Sequence, residues 1–248
     1  MTARKSLTEL LLSKHLAVLS AFAAIALAAS AGPANATIVF GTLLGQTTGC
    51  TASGLAGAFT CPNPQNFGTP GDTVQANGFS GAPGVGSTAL TLKTQPTFTA
   101  GEDGLGENAT AGPPCSDPEC EIGTPHSVTV VSTGPETITD TIIGSIQAGE
   151  TFNFFVQTTP GGAFTQLGST LSNACNTAPG FSVGPNLDEC TWVAPPGGRA
   201  GIAVEAVTGN ETLVEVSTSA EVPEPASLAL LGTGLVGLGL LWRRRRKA

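Results

Sequence analysis

The chain has 248 residues, of which 33 are glycine, 18 proline and 11% charged, and its formal net charge is −8. Five of its ten Lys and Arg crowd into the last six positions, whereas the span from Thr37 to Val222 holds two bases against sixteen acids, a net charge of −14. That balance excludes a nucleic-acid surface on this span and directs the acids toward solubility or divalent cations.

Residues 1–36 combine basic residues (Arg4, Lys5, Lys14), an apolar stretch from Leu16 to about Ala29, and small residues thereafter. This order reads as a secretory signal helix. Ala34-Asn35-Ala36 supplies a small-x-small cleavage site before Thr37, so the Sec export machinery and a signal peptidase are the expected first partners. The apolar run is too short to span a bilayer comfortably, which argues against a permanent N-terminal anchor.

From residue 37 to 220 the length suits one domain with its own core. Gly and Pro make up about a fifth of the chain, below the range of low-complexity disorder. Turn-rich CPNPQNFGTPGD and SGAPGVG are followed by period-2 patterns: STALTLKT with Leu90 and Leu92 on one face, the β-branched SVTVVST, and TFNFFVQT. In the last of these Phe152, Phe154 and Val156 oppose Asn153, Phe155 and Gln157. SIQAGETFNFF suggests a hairpin turning at Ala148-Gly149. GIAVEAVTGNETLVEVSTS suggests a second one, turning at Thr208-Gly209-Asn210, with Glu205, Glu211 and Glu215 facing outward. No sustained helical period occurs between the two ends, so the expected fold is all-β: one disulfide-stapled, jelly-roll-like β-sandwich.

The six cysteines all lie in this exported span, and an even count in an oxidising compartment predicts disulfides. Spacing favours three local bridges, Cys50 with Cys61, Cys115 with Cys120 and Cys175 with Cys190. Zinc is not expected, since the cysteines are scattered and only His126 is near CSDPEC. Trp192, beside Cys190, is expected in the core.

The densest polar stretch, GEDGLGENATAGPPCSDPECEIG, brings together Glu102, Asp103, Glu107, Asn108, Asp117, Glu119 and Glu121. A bent, oxygen-rich loop of this kind is a candidate calcium site, although it does not follow the EF-hand pattern, and a solvated acidic loop accounts for the same residues. No other cofactor is expected. His126, the only histidine of the exported span, stands at the start of a strand and is expected on the surface. GxSxG and a phosphate-cradling glycine loop are both missing, so no catalytic residues are assigned. Acid pairs could hydrolyse glycosides, but without tyrosine and with Trp192 alone the span offers little for stacking sugars.

Residues 221–248 close the sequence in three parts: Val222-Pro223-Glu224-Pro225, an apolar run from Leu228 to Trp242, and Arg243, Arg244, Arg245, Arg246 and Lys247. The apolar run reads as a short transmembrane helix of about 25 Å, with the basic block held on the cytoplasmic side. The two prolines keep Glu224 in an extended segment that the helix cannot absorb. This arrangement resembles the PEP-CTERM sorting signal of Gram-negative bacteria. The resemblance implies recognition of Pro223-Glu224-Pro225 by a membrane-embedded exosortase, transient anchoring in the inner membrane, and a final place at the cell surface or outside it. The expected function is that of a non-catalytic envelope or matrix protein, with polysaccharide a candidate partner. A calcium-dependent ligand-binding module is the alternative, and a carboxylate-based hydrolase a more distant one.

Overall fold

In the computed structural model the described residues are 35–42, 49–53, 56–69, 72–95, 97, 102–108, 120–175, 178–186 and 188–220. The expected signal helix and transmembrane helix both lie outside them. Residues Asn35–Ala220 form one compact unit. Its strands in chain order are β1 (Asn35–Val39), β2 (Thr51–Ala52), β3 (Ala58–Cys61), β4 (Gln65–Thr69), β5 (Asp72–Phe79), β6 (Ala89–Lys93), β7 (Gly104–Asn108), β8 (Ile122–Gly123) and β9 (Ser127–Ser132). There follow β10 (Glu136–Gly144), β11 (Thr151–Gln157), β12 (Thr165–Gln166), β13 (Leu171–Ser172), β14 (Phe181–Val183), β15 (Cys190–Val193), β16 (Gly201–Thr208) and β17 (Asn210–Ala220).

These strands build two antiparallel sheets. The first runs β14-β15-β10-β17-β7-β6-β3-β2, with β1 and β8 also paired to β17. The second runs β12-β11-β16-β9-β5-β4, with β13 added to β11. Alternation along each strand turns one set of side chains inward. Phe152 and Phe154 of β11, Val128 and Val130 of β9, and Ile202 and Val204 of β16 come from one sheet. Leu90 and Leu92 of β6, Leu105 of β7 and Val216 of β17 come from the other, and all belong to a single apolar cluster. Two sheets sharing one core is the arrangement of a β-sandwich.

Trp192 is buried in that cluster, its ring centroid 4.9 Å from that of Phe154. Cys175–Cys190 and Cys50–Cys61 are disulfides, two of the three expected bridges. Cys120 is disulfide-bonded as well, while its expected partner Cys115 lies outside the described residues.

The two expected hairpins are not formed. The turn at Gln147–Glu150 is present, closed by a hydrogen bond from the Glu150 N–H to the Gln147 carbonyl, with Gly149 at φ 95°. It carries the chain from β10 in one sheet to β11 in the other, however, and so does the turn at Gly209 between β16 and β17. Each strand finds its partners elsewhere: β16 lies between β9 and β11, and β17 beside β10. Turn chemistry fixes where the chain reverses, but pairing is decided by which apolar faces can be covered together.

A register shift between Ile142 and Ile143 opposite β17 alters the inward pattern there. Leu213 and Val216, three residues apart, are both fully buried, which strict alternation forbids and a bulge allows. The same irregularity overturns the outward placement of Glu211, which shares a side of β17 with Leu213, whereas Glu215 keeps the side opposite Val216. Glu211 is 0% exposed and Glu215 half-buried.

On the outer face of the first sheet, the segment Cys120–Ile122 lies directly over β6 and β7. The Thr91 hydroxyl donates to the Cys120 carbonyl at 2.6 Å. A Cβ on Gly106 would meet the backbone of Cys120 and Glu121, so this glycine is required by close approach rather than by a turn. Gly106→Ala is expected to cost roughly 2–3 kcal/mol of unfolding free energy in urea titrations, because backbone must move to admit the methyl group.

Candidate functional site

The acidic stretch singled out in the sequence is divided by strand geometry. Leu105 and Glu107 share one side of β7, and Leu105 is in the core. Glu107 therefore points between the sheets. A Cβ placed on Gly78 of the opposite sheet would lie 3.3 Å from the Glu107 Cβ. There the Glu107 Oε1 lies 2.5 Å from Nδ1 of His126, whose side chain is only 15% exposed. His126 is thus a half-buried partner of an acid rather than the surface residue expected at the start of β9. Burial pushes the Glu107 carboxyl up to about 7, against the effect of a hydrogen bond from Thr88, and burial lowers the His126 imidazole, so the site favours the neutral form of each.

Glu121 belongs to the outer layer instead. Its Oε1 lies 2.5 Å from the Lys93 Nζ, and Lys93, one of the two bases of the exported span, is fully buried. Asp103 accepts a hydrogen bond from the Gln95 side-chain amide at 2.9 Å, and Glu102 is exposed. Asn108 ends β7, whereas Asp117 and Glu119 lie outside the described residues. The described members of the calcium set therefore take separate partners on separate faces. Among the described residues no three Asp, Glu, His or Cys side chains come together as a group that could hold a metal ion.

Glu211, which the sequence placed on the surface, has both carboxylate oxygens buried without a hydrogen-bond partner. It stands opposite Ile122 in the β17–β8 pairing. Burial, reinforced by the charges of Glu150 and Glu121, raises its carboxyl to about 9. The sequence carried one usable sign of this buried chemistry. Lys93 lies on the Thr91 side of β6, away from Leu90 and Leu92, and a solitary base in a strand amid sixteen acids is where a buried counter-charge is to be sought.

The outward face of the second sheet is polar and pinned. The Asn153 side-chain amide donates to Glu205 Oε2 at 3.0 Å, and its oxygen accepts from the Gln166 amide and the Thr170 hydroxyl, each at 2.9 Å. Half-buried Phe155 follows on the same side of β11. This cluster was not anticipated beyond the outward reading of Asn153, because it joins residues 13 to 52 positions apart.

The chain leaves the domain from β17, the strand on which the first sheet is organised. Its last residues, Glu215–Ser219, lie between β10 and β1, and Asn35 is paired with Ser219. Glu136 stands opposite Ala220, and from residue 221 onward a family model described as the PEP-CTERM protein-sorting motif matches residues 221–246. The chain carries a PEP-CTERM sorting motif. Val222, Pro223, Glu224 and Pro225 and the basic block Arg243 to Lys247 all fall within or at the edge of this match and outside the described residues. A PEP-CTERM motif implies an exported protein that is held at the membrane during sorting and processed by an exosortase-type enzyme. No curated protein and no solved structure matches the chain.

Proposed function

We propose that the protein is a non-catalytic component of the cell envelope or extracellular matrix, delivered by its PEP-CTERM motif and working through the surface of its β-sandwich. The observation that carries this reading is the position of the motif match, which starts at residue 221, immediately after the last residue of β17. This reading gives recognition and membrane holding to a segment that takes no part in the described strand pairings. Removing it leaves every described strand pairing intact.

A polysaccharide is the partner this surface suits best. A polyanion finds little counter-charge: Lys93 is buried with Glu121, and Arg199 is half-buried with its guanidinium donating to the Gly198 carbonyl. The Asn153, Glu205, Gln166 and Thr170 cluster instead presents oriented donors and acceptors, the groups that hydroxyl-rich chains need.

Sorting is tested by replacing Glu224 with Ala, alone and together with deletion of residues 243–247. Intact-mass measurement is then made on membrane and culture-fluid fractions. The unaltered chain is expected to yield a species ending near Pro223-Glu224-Pro225, and the altered chains to accumulate in the membrane with the tail retained. Unchanged export and processing of both would sink the reading.

A further inference from the structure

We propose that Lys93 and Glu121 join through an amide bond between their side chains, an internal crosslink that forms after the domain has folded. The Lys93 Nζ lies 2.5 Å from the Glu121 Oε1, and the two side chains are 0% and 6% exposed. The carboxyl carbon is one bond beyond that contact, near the separation of about 3–3.5 Å from which a nucleophile attacks. Lys93 ends β6 opposite Gly104, a residue with no side chain to compete for the same face. Glu121 is held in place from both directions along its own backbone. On one side the Cys120 carbonyl accepts the Thr91 hydroxyl at 2.6 Å, and Cys120 is disulfide-bonded; on the other Ile122 is paired with Glu211. Gly106 admits the backbone of Cys120 and Glu121 from below. A surface ion pair separates whenever one side chain turns into water, whereas here both backbones are pinned and both heads are buried. Confinement of this kind corresponds to effective concentrations of about 10⁵ M or more, and burial penalises the separated charges.

The step balances without a co-reactant. A proton of the ammonium passes to the carboxylate, the freed amine attacks the carboxyl carbon, a C–N bond forms and a C–O bond breaks. The departing oxygen takes two of the three ammonium protons as water, and the third stays on the amide nitrogen. Burial of both side chains then shields the product from the water that would reverse the step. The bond ties the end of β6 to a segment 28 positions further along, and unlike the disulfide at Cys120 it survives reduction. The contact in the structure is the state before the bond forms, so chain of full mass is the species in which urea unfolding reports on the ion pair. Lys93 is the only lysine between residues 37 and 222, which gives a joined lysine side chain in this span a single source.

The test follows the intact mass of the full chain over several days after folding under oxidising conditions at neutral pH. Each sample is denatured and reduced, which opens disulfides and leaves an amide untouched. A species lighter by one water is expected to accumulate, with peptic fragments carrying Lys93 and Glu121 found joined. In chain kept in urea from the start, the joined species should form at least about a hundredfold more slowly. Lys93→Arg keeps the cation and should hold full mass throughout. Glu121→Gln serves if that variant does not fold: attack on its carboxamide expels ammonia instead of water and yields a joined product of the same mass as the parent's. Parent chain at full mass throughout, loss of water that persists in Lys93→Arg, or loss of water confined to an unjoined fragment containing Asp103-Gly104 would each overturn the proposal. None of these outcomes bears on tail processing, so failure here is distinguishable from failure of the sorting reading.

Discussion

Glu211→Gln is expected to stabilise the domain at neutral and alkaline pH while leaving it unchanged in mild acid. The carboxyl is fully buried, both oxygens lack hydrogen-bond partners, and its pKa stands at about 9 against an ordinary value of 4.5. Between those values the folded chain holds a proton that the unfolded chain has released. The stability contributed by the neutral acid is therefore complete below pH 4.5 and is lost as pH rises toward 9, at about 1.4 kcal/mol per pH unit. By neutral pH the loss is on the order of 3 kcal/mol, a large share of a typical domain stability. Glutamine keeps the shape and stays uncharged. Urea unfolding at pH 4.5 and pH 7.5 should show the variant equal to the parent at the first and roughly 3–4 kcal/mol more stable at the second. Parallel curves at both would show that Glu211 reaches solvent or a partner when ionised. Glu107, raised to about 7, adds a slope of the same sign below neutrality. His126 works in the opposite direction, since a lowered imidazole makes the fold lose stability as pH falls below its ordinary value.

Lys93→Met should have an effect of similar size and opposite sign. The Lys93–Glu121 pair is at 2.5 Å, with the two side chains 0% and 6% exposed. Removing the ammonium takes a buried counter-charge away from the Glu121 carboxylate. Breaking one side of such a pair costs about 3–5 kcal/mol, whereas exchanging both partners for uncharged side chains of similar volume is often close to neutral. The single variant is accordingly expected to lose about 3 kcal/mol or more in urea unfolding at pH 7, and Lys93→Met with Glu121→Gln to recover most of it. Additive losses in the double variant would mean that the two side chains stabilise the fold independently. Because Cys120 is disulfide-bonded next to Glu121, the single variant also tests whether the ion pair or the covalent link holds this segment on β6 and β7.

Much of the architecture was legible because it depends on local pattern. Phe152, Phe154 and Val156 alternate with polar neighbours and do face the core; the β-branched SVTVVST is β9; Cys50–Cys61 and Cys175–Cys190 close at the spacings that suggested them. The turn at Ala148-Gly149 was legible for the same reason, since a glycine with positive φ is a local requirement. What followed the turn was not. Whether β10 pairs with β11 or with β17 depends on a strand that lies 68 or more residues further along the chain, and no short window contains that choice.

The buried acids show the same division. Composition established that the exported span is strongly acidic, and spacing established that seven oxygen-bearing residues are close in sequence. Closeness in sequence is not convergence in space, because successive residues of a strand point to opposite faces. β7 sends Glu107 inward to His126, while Glu121 meets Lys93 in the layer outside the same sheet. Glu211 lies on β17, nine strands beyond β8 in chain order, and the irregularity that accompanies its burial is visible only in the pairing of β17 with β10.

By itself the sequence determined that this chain carries a sorting motif that implies export, and the kind of fold that precedes it. A sorting motif is a short linear segment read by an enzyme, and β-strands are encoded by alternation over a few residues, so both survive as one-dimensional patterns. The tertiary structure alone decided which acids lose water, which histidine gains a carboxylate neighbour, and that the first strand pairs with the last. Those outcomes arise from contacts between residues as far apart as Asn35 and Ser219, where burial energy and sheet register act and local propensity has no say.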